Sequence, residues 1–176
     1  MMRRLIYIWA GISAVVIFGL AIVFAVMWSR GLGARAHPSE LESNVAMSVW
    51  ESSIPSRYSK MKSPLTQVEL TDAAGHYEEH CAVCHGDDGA GHTKFEGTMD
   101  PPPPDLRSGE TQEMSDGELY WVIKNGVRWS GMPAFGAPGD NDAHAWKIVA
   151  FLRHLPKLTP QELNEMKQAK DDGHHE

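Results

Sequence analysis

From Leu5 to Trp28 the chain runs for 24 residues without a charge, mostly Ile, Val, Ala, Leu and Phe. No other feature restricts the fold as strongly. At the helical rise of about 1.5 Å per residue, this stretch is long enough to cross a hydrocarbon core of about 30 Å. Tyr7, Trp9 and Trp28 stand near its ends, where interfacial aromatics are found. A cleaved signal peptide is the competing reading, and Ala34-Arg35-Ala36 has the small-x-small pattern of a cleavage site. Signal-peptide apolar regions run only about 7–15 residues, so a retained anchor over 1–36 is expected. Arg3 and Arg4 lie on one side of the run and Arg30 and Arg35 on the other. Charge alone therefore does not orient it.

The anchor also separates the charges. The 176-residue chain has a net charge of −7. All four arginines up to Ala36 flank the apolar run. Beyond it, 12 Lys and Arg face 23 Asp and Glu, a net charge of −11. This balance argues against nucleic acid as a partner. It favours a protein partner with a basic docking face.

The chemistry concentrates in Cys81-Ala82-Val83-Cys84-His85. C-x-x-C-H is the attachment pattern for a c-type haem. Two thiols three positions apart can each bond one porphyrin vinyl group, and the following histidine then lies under the iron as an axial ligand. A redox disulfide and half of a zinc site compete with this reading. The chain holds only these two cysteines, which excludes a four-cysteine zinc site. The redox motif does not call for the histidine, and no strand-rich context surrounds it.

Residues 37–67 read as a linker. Ser39 and Glu42 form a capping-box pattern that predicts a helix over about 40–51. Ser52 to Pro64 reads as extended loop. A helix is predicted to start after Thr71 and run into the cysteines, with Ala73, Tyr77 and Cys81 on one face. The glycine-rich stretch 86–91 would let backbone pass close to a porphyrin. Pro101 to Pro104 make a stiff turn. Ser115 and Glu118 cap a helix ending at Asn125-Gly126. A helix over about 142–155 follows. A last one starts at Thr159-Pro160 and reaches about Lys170.

A haem iron held by His85 needs a sixth ligand or an open position. Met132 is the strongest candidate, in the loop Gly131-Met132-Pro133. Its soft, neutral thioether favours ferrous iron. Met99, Met114 and Met166 read as core gap-fillers. His92, His144 and His154 are weaker alternatives. His174 and His175 could bind metal only adventitiously.

With these residues in view, roughly 68–156 resembles the class I c-type cytochromes, an all-α fold, here behind a single transmembrane helix. The resemblance implies one covalent haem c on Cys81 and Cys84, with His85 as proximal and Met132 as distal ligand. Pro104, in Pro104-Asp105-Leu106, resembles the proline whose carbonyl orients the proximal imidazole. Ala73 and Tyr77, with Ile148 and Phe151, resemble the family's crossed helix pair. Ala73 departs from it, standing where glycine is usual. The Pro-rich loop and Gly-Met-Pro-Ala-Phe-Gly look most like the bacterial oxidase- and dehydrogenase-associated subgroup. Residues 157–176 fall outside the resemblance and read as a C-terminal helix and tail.

The resemblance places the haem outside the cytoplasm. The expected protein is a single-pass inner-membrane protein with a periplasmic haem domain, passing single electrons between redox partners. No nucleophile, proton donor or substrate pocket is visible, so no enzyme activity of its own is expected. The rivals are a fixed subunit of a respiratory or dehydrogenase complex, a haem sensor or peroxidase-like protein, and a tethered thiol oxidoreductase.

Overall fold

A computed structural model describes residues 2–31, 33, 38–65, 68–136 and 142–173. The Ala34–Ala36 cleavage pattern and the histidines at 174 and 175 lie outside the described residues. The chain divides into two compact units, Met1–Ala36 and His37–Glu176.

The first unit is one helix, α1, Met2–Arg30. It is apolar around its whole circumference, and its described side chains are exposed. Its length and composition suffice to cross a membrane. A helix with no polar face suits a lipid environment. It is therefore a membrane anchor or a signal sequence.

In the second unit, α2 is Glu40–Ser53, and Ser39 Oγ accepts from Glu42 N–H. The remaining helices are α3 Leu70–His80, α4 Ala82–His85, α5 Gly109–Gln112, α6 Asp116–Asn125, α7 Ala143–His154 and α8 Pro160–Gly173. No strand occurs among the described residues. Helix α3 starts two residues earlier than its sequence suggests. The Glu69 carbonyl accepts the first helical bond from Ala73 N–H. Thr71 is thus inside the helix and does not cap it. Both later capping boxes form, Ser115 with Glu118 and Thr159 with Glu162.

The core is the pairing of α3 with α7. Ala73, Ala74 and Tyr77 are buried on one side, and Ala145, Ile148, Val149, Phe151 and Leu152 on the other. The Tyr77 and Phe151 rings lie 4.9 Å apart. Burying each such large side chain contributes about 1.5–3 kcal/mol. A second layer is an aromatic stack: Trp146 on Tyr120 at 4.3 Å, and Tyr120 against Tyr58 at 6.3 Å.

That stack changes the reading of residues 52–64. Tyr58 opens a 3-10 turn, Tyr58–Lys60, and is only 3% exposed. Met61, Leu65 and Val68 also pack on the core. Part of the expected loop is core because Gly117 on α6 has no side chain. A Cβ there would overlap the Tyr58 carbonyl.

Candidate haem-binding site

Helix α3 delivers the cysteines. Cys81 N–H still bonds Tyr77 O at 2.8 Å, and a new turn begins at once, with Cys84 and His85 N–H both on Cys81 O. Gly86, at φ +80°, ends that turn. Cys81 and Cys84 are half-buried, unbridged thiols one helical turn apart. Burial pushes the Cys81 thiol up to about 12, aided by the neighbouring Cys84.

His85 follows on the same turn. Its Nδ1 lies 3.4 Å from Pro104 O. A carbonyl only accepts, so Nδ1 carries the hydrogen and Nε2 keeps its lone pair for a ligand. Burial lowers the imidazole pKa, and the Pro104 bond opposes this. The ring is thereby kept neutral, the form that binds metal.

Two loops hold this arrangement. Gly91 N–H donates to His85 O at 2.7 Å, and Leu106 N–H to Gly89 O at 2.8 Å. Gly91, at φ +78°, approaches the proline turn so closely that a Cβ would stand 2.5 Å from Pro103 O. The close approach seen for this glycine is thus to the proline segment that faces His85. Arg107 joins both loops, bonding Asp105 Oδ1 at 2.9 Å and Asp88 Oδ2 at 3.1 Å. Arg107 draws the Asp105 carboxyl below its usual range. Tyr77 O–H donates to Gly86 O at 2.7 Å, tying the core to the turn.

Met132, half-buried, sits on a loop fastened to the end of α6. Its carbonyl accepts from Val127 N–H at 3.1 Å, and its N–H donates to Ser130 Oγ at 3.1 Å. Phe135 N–H donates to Ile123 O and Gly136 N–H to Lys124 O, each at 3.1 Å. The Phe135 ring lies 6.1 Å from that of His80, the residue before Cys81. The methionine loop and the cysteine turn therefore meet through this ring pair. Met99 is not a core residue: it borders the loop, and a Cβ on Gly131 would meet its sulfur at 2.8 Å. Met114 and Met166 do pack on the core.

Sequence reasoning missed the Arg107 link, the Phe135 contact and the position of Met99. An Asp-Leu-Arg tripeptide or a lone Met carries no spacing that marks such tertiary contacts. His144 and His154 belong elsewhere: His154 Nε2 pairs with Glu162 at 2.9 Å, and His144 with His76.

A neutral imidazole with a free lone pair, two adjacent free thiols and a thioether on a neighbouring loop match what a haem group takes. Together with a helical fold that has no strand among the described residues, they define a class I c-type cytochrome domain. Residues 68–152 match the family described as cytochrome C oxidase, cbb3-type, subunit III, a class I c-type cytochrome family. The family implies haem c and an electron-carrying role. No curated protein matches the chain.

Proposed function

We propose that this chain is a membrane-anchored, monohaem c-type cytochrome. It takes one electron from a reduced donor and gives it to an oxidised acceptor on the extracytoplasmic side of the inner membrane. The observation that carries this reading is His85 Nδ1 facing Pro104 O, one residue beyond two free thiols. Bound haem c supplies an iron that cycles between ferric and ferrous by one electron. Cys81 and Cys84 hold the group through thioether bonds. Pro104 fixes the ring of His85, whose Nε2 would bind the iron. Met132 would offer its thioether as the second protein ligand, which would raise the reduction potential relative to a second histidine. Helix α1 retains the domain near its partners and raises its effective concentration there. The excess of acidic residues after Ala36 favours a basic docking face on those partners.

Haem staining after denaturing electrophoresis tests attachment: a stained band is expected, and none after Cys81→Ala with Cys84→Ala. The native reduced protein should not bind carbon monoxide readily, whereas Met132→Ala should bind it and show a lower midpoint potential. Fast, tight binding by the unsubstituted protein would point to an open-site sensor or peroxidase-like catalyst instead.

A second reading, a fixed subunit of a respiratory complex, draws support from the description of the matched family as an oxidase subunit. Native electrophoresis of gently solubilised membranes separates the two. A free carrier migrates alone, and a fixed subunit migrates with its complex.

A further inference from the structure

Among the described residues, a second cluster of ligating side chains lies on α3 just before the cysteine turn. Helix α3 carries His76 and His80 one turn apart on one face, with Glu79 beside them. One ligating atom from each of these three lies within 4.8 Å of the other two. Helix α7 adds His144, whose Nδ1 is 3.3 Å from His76 Nε2, with the ring centroids 4.8 Å apart and nearly perpendicular.

We propose that His76, His80 and Glu79, with His144 as a fourth donor, bind one divalent transition-metal ion of borderline softness, such as Zn²⁺. Imidazole nitrogens with a carboxylate select this class over Mg²⁺ or Ca²⁺, which take oxygen ligands. Tetrahedral zinc with bonds of about 2.0–2.1 Å holds its nitrogen ligands about 3.3 Å apart. The His76–His144 pair already has that separation. The other donors lie within 4.8 Å of His76, and His80 and Glu79 are exposed side chains with room to turn. Asp72 also approaches His76, at 3.8 Å, but its other oxygen is engaged by Lys147 at 2.6 Å. That pairing leaves Asp72 outside the ligand set and neutralises the lysine beside it. The site draws on both helices of the core pair, so an ion here would cross-link α3 to α7 at the surface.

The test is calorimetric titration of Zn²⁺ into the full-length, haem-loaded protein in detergent. The background variant carries His174→Ala and His175→Ala, which removes tail binding. One ion per chain is expected. His76→Ala and His80→Ala should each weaken binding at least tenfold, and the pair together should abolish it. His144→Ala should also weaken it, while His92→Ala should not. An unchanged far-ultraviolet circular dichroism spectrum shows that the variants fold. Affinity unaltered by the double substitution, or lost with His92→Ala, overturns the proposal.

Discussion

At Tyr77 one side chain joins the packed helix pair to the turn that carries the ligands. Its ring is fully buried against Phe151, and its hydroxyl donates to Gly86 O directly after His85. Burial raises the phenol pKa, so the group stays a donor across the working pH range. Tyr77→Phe keeps the ring and leaves the Gly86 carbonyl short of a partner. Such a loss costs about 1–3 kcal/mol. Urea unfolding should show that loss with an unchanged slope, together with faster amide exchange in residues 86–91. Tyr77 was legible as a core-facing residue from its spacing to Ala73 and Cys81. Its hydroxyl bond was not, because nothing in a linear pattern says where a chain returning from His85 will pass.

Among the elements, the contrast between two helical glycines is instructive. Gly75 on α3 faces open space, whereas Gly117 on α6 lies under the Tyr58 carbonyl, and a methyl group there would stand 2.8 Å from Met61 Cβ. Gly75→Ala should therefore stabilise by about 0.5–1 kcal/mol through helix propensity. Gly117→Ala should destabilise by about 1–3 kcal/mol through overpacking. It should also release the Tyr58–Lys60 turn, seen as faster tryptic cleavage after Lys60. The helices themselves were readable from caps and stripes, Ser115 with Glu118 above all. The attachment of the turn was not, because Ser- and Pro-rich composition describes local backbone preference and carries no information about one buried tyrosine.

For the whole molecule, the two ends of the chain make separate predictions. At the C-terminus, Glu162 accepts from Thr159 N–H and Oγ1 and pairs with His154. The Thr159 backbone bond, then its side chain, then His154 lower this carboxyl from 4.5 to about 2. A depressed carboxyl stabilises the fold above its unfolded pKa and loses that contribution as pH falls through the folded value. Stability should therefore decline between pH 4.5 and about 2. Glu162→Gln should flatten that part of the profile in denaturant titrations at stepped pH. At the N-terminus, a retained α1 should keep the protein in membranes washed with alkaline carbonate. Deleting residues 2–30 behind a cleavable leader should release it with its haem spectrum intact.

The sequence by itself determined the two things that depend on local order: an apolar run long enough for a bilayer, and two thiols and an imidazole spaced for one porphyrin. Helix length and ligand spacing are properties of consecutive residues, so they survive without any knowledge of the fold. Only the tertiary structure decided what depends on chain return. It set Pro104 O opposite His85 Nδ1, clamped Asp88 and Asp105 through Arg107, and seated Tyr58 on Gly117. It also brought His144 to His76. The hydrogen-bonded pairs that cross the fold here lie 19 to 68 residues apart. At such separations it is the packing of α3 on α7, and the close approaches that small residues allow, that select the partners.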